Sequence, residues 1–213
     1  MIISVAIQHN AHPYQKGEAS LAARDLLVRL LRHHGIACDS PVTLDRDARG
    51  RPFFASEELR RDIDFNLSHT EKTVAVAIAI REAGEDTPRI GIDVEIPHPR
   101  IRKKQLAARF FAENEIRLLD ESDDEEATFL SLWTRKEAYL KYLGTGLAGE
   151  MQTTDTTDPS ALAVTLLTYP LTESGEMLSL CLKEGVTPPK AEDFLVHLDS
   201  PETSSCKTRP PVV

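Results

Sequence analysis

Residues 123–143 restrict the fold more than any other stretch. Phe129, Leu130, Trp133, Leu140 and Leu143 form an apolar stripe at helical spacing, acidic residues crowd the start, and Gly144 stands where a C-terminal cap belongs. The spacing predicts one long helix. Around it, residues 2–7 read as a strand from their β-branched content, and Leu21, Leu26, Leu27, Leu30 and Leu31 recur at helical spacing up to Gly35. Residues 45–52, with Gly50 and Pro52, carry turn chemistry, and residues 63–66 and 74–80 read as strands.

The polar stretch 81–89 lacks apolar periodicity and marks a joint between two halves. Beyond it, residues 90–96 are strand-like and end at Pro97 and Pro99, and residues 101–111 and 114–119 carry helical spacing. Residues 161–168, 177–182 and 194–198 read as strands, the first two joined in a hairpin-like arrangement containing Pro170 and Gly175. The class expected is α+β, with an N-terminal half over 1–84 and a C-terminal half over 85–199. From residue 200 the chain turns to Ser, Thr, Pro and charge, which predicts a loose tail.

A chain of 213 residues suffices for one large domain or two half-domains sharing a core. Its formal charge of −9 argues against general nucleic-acid binding. The apolar stretch 2–7 is too short for a signal peptide or a spanning helix, so a cytoplasmic protein without a membrane contact is expected. Cys38, Cys181 and Cys206 lie far apart and outside any C-x-x-C pair, which suggests neither a disulfide framework nor a thiolate zinc site. Charge is sorted along the chain. Arg100, Arg102, Lys103, Lys104 and Arg109 crowd one segment and residues 120–126 form an acidic run; the basic segment is either a solvated helix face or a surface for an anionic partner.

Alternate side chains of a strand share a face, so Asp93 and Glu95 in Gly91-Ile-Asp-Val-Glu95 project together while Ile92 and Val94 face a core. Two hard oxygen ligands so aimed suit Mg²⁺, although a solvated strand face carries the same pattern. On the long helix, Trp133, Glu137 and Lys141 fall along one side, with Trp133 placed to anchor it. Taken singly, Glu137 and Lys141 also read as an ordinary helix ion pair and Lys136 as a solvated charge.

Together, Gly-Ile-Asp-x-Glu and the later Trp133-Thr-Arg-Lys-Glu-Ala-Tyr-Leu-Lys141 resemble the paired signature of the phosphopantetheinyl transferase family. Phe65-Asn-Leu-Ser-His-Thr70 is similar to that family's Asn-x-Ser-His segment, and Gly50-Arg-Pro52 to its Gly-Lys-Pro turn. Ala108-Arg-Phe-Phe-Ala-Glu-Asn-Glu115 resembles its Arg-Phe-Phe helix junction. Chain length points to the pseudo-dimeric type, similar to the enzyme that activates surfactin synthetase, in which two similar α/β half-domains form one active site at their interface.

The resemblance implies transfer of the phosphopantetheine arm of coenzyme A to a serine of an apo acyl or peptidyl carrier protein. It implies that Asp93, Glu95 and Glu137 bind Mg²⁺, with Asp93, Glu137 and Lys141 at the reaction. Arg51, Ser68, His69, Lys136 and Lys141 would hold coenzyme A, with Arg51, Ser68 and His69 on its 3′-phosphate end. Arg51 stands where the family more often has Lys, a swap that preserves charge but not geometry. Many relatives use an arginine at the start of the first helix for the coenzyme phosphate. Ser20 or Ala22 falls near that place here, with Lys16 and Arg24 as the nearest cations. The basic segment near Arg100 and apolar groups over 143–151 would meet the carrier, and a monomer is expected because the two halves already complete the site. A non-catalytic relative that binds coenzyme A or a carrier, a plain interaction domain and a metal-dependent phosphohydrolase or nuclease are the competing readings. The last leaves the Ser-His and Trp-Lys-Glu-Ala segments unexplained.

Overall fold

The computed structural model describes residues 1–146, 151–171 and 175–196. Part of the expected 143–151 contact segment, the end of the 194–198 strand, His197, Cys206 and the tail from 200 lie outside them.

The chain opens with β1 (Ile2–His9) and α1 (Glu18–His33). Leu26, Leu27, Leu30 and Leu31 of α1 are buried, whereas Leu21 is 68% exposed. Five residues before Leu26 place Leu21 roughly 140° around the helix, off the apolar face. A small hairpin of β2 (Leu44–Arg46) and β3 (Pro52–Phe54) follows, its turn using Gly50 at φ 86°. Next come α2 (Glu57–Asp62), β4 (Ile63–His69) and β5 (Thr73–Ile80). The predicted strand at 63–66 thus extends to His69, and α2, short and with no buried residue, escaped the apolar pattern.

Strand β5 is apolar on both faces. Val74, Val76 and Ile78 pack towards α1, while Ala75, Ala77 and Ala79 join a second core with Val5, Ile7, Ile90, Ile92 and Val94. That second core is bounded by β6 (Ile90–Glu95), which follows the irregular stretch 81–89. Helices α3 (Lys103–Phe110), α4 (Glu113–Asp120) and α5 (Glu125–Leu143) come next, then β7 (Val164–Pro170) and β8 (Met177–Lys183). The predicted strand at 161–168 starts only at Val164. Asp158 caps a 3₁₀ turn over Pro159–Leu162 by accepting from the Ala161 N–H (3.3 Å), and proline pre-sets the φ that opens it.

The two larger sheets have one order, β4-β5-β1 and β7-β8-β6. In each, a first strand is followed by helix and then two antiparallel strands, the last of which sits in the middle. The chain then returns: β9 (Leu195–Val196) pairs in parallel with β1 of the first sheet. Among the described residues no helix is long and apolar enough to cross a membrane.

Helix α5 is the predicted long helix. The Asp124 carboxylate accepts from the Ala127 N–H (3.0 Å) at its start, and Gly144 at φ 70° closes it. It lies on β6 and β8, and Gly91 is what lets it approach: a Cβ there would stand 2.0 Å from the Ala138 carbonyl oxygen. Trp133 is half-buried and stacks on Phe129 (5.8 Å between centroids), with Phe110 and Phe111 beside it. The basic segment and the acidic run meet each other: Lys103 pairs with Glu126 (2.6 Å) and Lys104 with Asp120 (3.4 Å). Two of the five cations expected to face a partner are thus compensated within the chain.

Candidate active site

The joint between the sheets is built from side chains. Along β4, Asp64, Asn66 and Ser68 point to one edge and accept from the backbone N–H groups of Ile90 (2.9 Å), Ile92 (3.2 Å) and Val94 (3.3 Å) of β6. Period-two alternation of short polar residues therefore replaces a backbone ladder and sets β4 in register with β6.

This register brings Ser68 to Asp93. The Ser68 hydroxyl donates to Asp93 Oδ1 (2.8 Å), and Lys141 Nζ from α5 donates to the same oxygen (2.6 Å) and to Ser68 Oγ (3.1 Å). Lys141 thus reaches across to β6 instead of pairing with Glu137 on its own helix. Asp93 is buried, and its Oδ2, sealed from solvent, has no hydrogen-bond partner among the described residues. Such an atom costs free energy unless a cation or donor satisfies it.

Glu95 and Glu137 are half-buried beside it. Burial raises the Glu95 carboxyl to about 7; Asp93 and, to a smaller degree, Glu137 push the same way and Lys141 opposes. Burial likewise raises Glu137 to about 7, with Asp93 adding and Lys141 opposing. One ammonium therefore faces three acidic groups, and the excess negative charge is what a divalent cation would neutralise. The hard oxygen set and the unsatisfied Asp93 Oδ2 fit Mg²⁺. The carboxylates are not already drawn to ligand distance: among the described residues no three His, Cys, Asp or Glu side chains are gathered to hold a metal.

The structure separates the other expected site residues. Ser68 is engaged with Asp93 and Lys141, while the next residue, His69, points the opposite way and is exposed. His69 borders a hollow of about 310 Å³ at the start of α1, with Lys16, Ser20 and Tyr14 in its wall. Lys16, and not Arg24, is the cation placed there. A second cavity, about 210 Å³, opens between the turn at Gly50 and the end of α5 and is walled in part by Lys141 and Asn66. Arg51 lies in that wall too, but its guanidinium donates to Asp64 Oδ2 (2.7 Å), the Ile90 carbonyl (3.1 Å) and the Lys141 carbonyl.

Lys136 corrects both of its sequence readings. It is fully buried, neither solvated nor facing a ligand, and its ammonium is bound to Glu115 (2.6 Å) and the carbonyls of Met151 (2.5 Å) and Thr154. Glu115, equally buried, also accepts from Ala112 N (2.8 Å), Thr156 N (2.9 Å) and Thr156 Oγ1 (2.6 Å). One residue along α5 turns a side chain by roughly 100°, so Lys136 braces the helix from behind while Glu137 faces the cluster. Sequence reasoning missed Asp64, and it met Asn66 and Glu115 only as letters of quoted segments, without a role for either. The alternating Asp-x-Asn-x-Ser of β4 carried a signal for Asp64 and Asn66, and the junction ending at Glu115 carried one for that residue.

Residues 89–194, which include β6 and α5, match the model of the 4′-phosphopantetheinyl transferase superfamily. The chain is similar to the 4′-phosphopantetheinyl transferase HetI of Nostoc sp., with 37% identity over 109 residues, 50% of this chain and 44% of the relative. It is also similar to the 4′-phosphopantetheinyl transferase AcpT of Salmonella typhimurium, with 34% identity over 118 residues, 54% of this chain and 56% of the relative. A fungal relative, the 4′-phosphopantetheinyl transferase pptA of Paxillus involutus, is 32% identical over 134 residues, 55% of this chain and 49% of the relative. The chain spans about half the length of the curated relatives it matches.

Proposed function

Since this chain belongs to the 4′-phosphopantetheinyl transferase superfamily through residues 89–194, we propose that it moves the phosphopantetheine arm of coenzyme A onto a serine of an apo acyl or peptidyl carrier protein. The observation that carries this reading is that Lys141 of α5 holds the buried Asp93 of β6, with the half-buried Glu95 and Glu137, one from each element, near enough for Asp93 to raise the proton affinity of both. The repeated sheet order supports a pseudo-dimeric origin with the site where the halves meet, and on that ground we also propose a monomer. A stable dimer by light scattering would contradict the latter.

In this reading Asp93, Glu95 and Glu137 would hold Mg²⁺ beside the coenzyme A pyrophosphate. The ion, when bound, neutralises charge on the phosphoryl oxygens and orients them. The chain's own groups do the rest. Lys141, fixed by Asp93 and Ser68, sets a second positive charge against the pyrophosphate. Glu137, in the ionised form that a bound cation would favour, accepts the proton of the carrier serine as its oxygen attacks the β-phosphorus. The bond from that phosphorus to the bridging oxygen breaks, and 3′,5′-adenosine bisphosphate leaves. The hollow of Lys16 and His69 suits the 3′-phosphate, because a cation, an imidazole and the start of α1 favour an anion there against the single opposing carboxylate of Glu71. Ser68 serves instead by orienting Asp93.

The test mixes the protein with apo acyl and apo peptidyl carriers, coenzyme A and Mg²⁺ and reads the carrier's intact mass. A phosphopantetheine-sized gain that disappears with EDTA supports the reading. Its absence with both carrier classes would argue for a relative that binds without transferring.

A further inference from the structure

We infer that Arg51 is a positioning residue that clamps the reactive end of α5 to the joint between the halves, and that it does not contact coenzyme A phosphate. The inference rests on the transferase reading for what α5 does, and on geometry for what Arg51 does.

The turn before β3 aims the side chain. Asp47 Oδ1 accepts from the N–H groups of both Arg49 and Arg51 (2.9 Å each), which fixes the backbone where Arg51 leaves it. From there the guanidinium enters the joint, with only 13% of the side chain exposed, and reaches three elements at once. It meets Asp64 of β4, the Ile90 carbonyl of β6 and the Lys141 carbonyl of α5. Asp64 is itself the first rung of the side-chain ladder, accepting from the Ile90 N–H. Thus one planar fork ties the ladder to the residue whose ammonium holds Asp93.

The last carbonyls of a helix have no intrahelical donor and form its negative end. At α5 the Gly144 N–H reaches the Lys141 carbonyl (3.2 Å), and arginines supply the remaining donors. Arg51 takes the Lys141 carbonyl, and Arg89 takes those of Tyr142 and Leu143 (2.6 Å for the latter). A phosphate drawing on the Arg51 guanidinium would have to break a 2.7 Å charge pair inside the joint and release the helix end that presents Lys141. A lysine at this position offers one compact charge and cannot span the three acceptors.

Two variants of the full chain separate the roles: Arg51→Lys keeps the charge and loses the fork, and Asp64→Asn keeps Arg51 and loses its partner. Calorimetry with coenzyme A, steady-state transfer to an apo carrier and amide hydrogen exchange are read for each. Because about 1 Å of misplacement costs far more in rate than in binding, kcat should fall about tenfold or more in both, with Kd and KM for coenzyme A within about twofold of wild type. Amides of Tyr142, Leu143 and Gly144 should exchange faster. A phosphate contact predicts the reverse: Arg51→Lys weakens coenzyme A binding with kcat held, and Asp64→Asn strengthens it by freeing the guanidinium. That pattern, or unchanged exchange in both variants, would overturn the inference. Should Arg51→Lys not fold, Asp64→Asn carries the same test. If wild type transfers to no carrier, the transferase reading fails, while calorimetry and exchange still decide what Arg51 does.

Discussion

Asp93 is the residue on which the site turns: one oxygen is held by Ser68 and Lys141, and the other is buried without a donor among the described residues. Glu137 is raised by burial and by that neighbouring carboxylate, so its proton affinity is part of the same arrangement. Glu137→Gln should leave the fold intact, because no backbone group depends on the lost charge, and should lower kcat by roughly 10²–10⁴-fold. Transfer kinetics beside far-ultraviolet circular dichroism check this, and a variant retaining wild-type kcat would remove Glu137 from the chemistry. Lys136 shows what one residue of sequence can hide. The motif made it look like a neighbour of Glu137 in function, yet its partner, Glu115, lies on another helix 21 residues earlier, where no local pattern connects the two. Breaking a buried pair leaves the other charge unsatisfied, so Lys136→Met should cost about 3–5 kcal/mol in urea unfolding. Stability unchanged from wild type would mean that the ammonium is solvated after all.

Among the elements, α5 was readable because its apolar stripe, acidic start and terminal glycine all agree. Its seat was not. Gly91 reads in the sequence as one letter of a motif, whereas in the structure it is the point where β6 and α5 backbones touch. Gly91→Ala should therefore cost roughly 1–3 kcal/mol or more and lower transfer with it, since the new methyl meets the Ala138 carbonyl and the Tyr142 nitrogen, which cannot rotate away. Equilibrium unfolding of the variant decides it, and wild-type stability would show that the helix sits higher than described. Strand β4 taught the opposite lesson: Asp64, Asn66 and Ser68 look like a solvent-facing edge, and only the presence of β6 reveals them as a ladder. A strand's polar face carries no sign of whether water or another strand will meet it.

At the scale of the whole molecule, two sheets of one order meet at a shared core, and the acidic cluster sits where they join. That placement makes stability depend on pH in a defined direction. Glu95 and Glu137 bind protons more tightly folded than unfolded, so the folded state is favoured below about pH 4.5 to 7 and loses that advantage as pH rises through this window. In divalent-free buffer the contribution of this pair should lower Tm between pH 5 and 8, and Mg²⁺ should restore Tm above pH 7 and do little at pH 5, where both carboxyls carry protons. Scanning calorimetry across that range checks both signs, and a Tm indifferent to Mg²⁺ at pH 8 would count against the metal site. The α+β class could be read from periodicity; the return of β9 to the first sheet could not, because two residues carry no period. The proposed function requires that these groups transfer phosphopantetheine to a carrier instead of releasing it to water. Following 3′,5′-adenosine bisphosphate release and carrier mass in the same reaction tests it most directly. Transfer yields one bisphosphate for each modified carrier, whereas bisphosphate released without any gain in carrier mass would rule transfer out and identify a hydrolase.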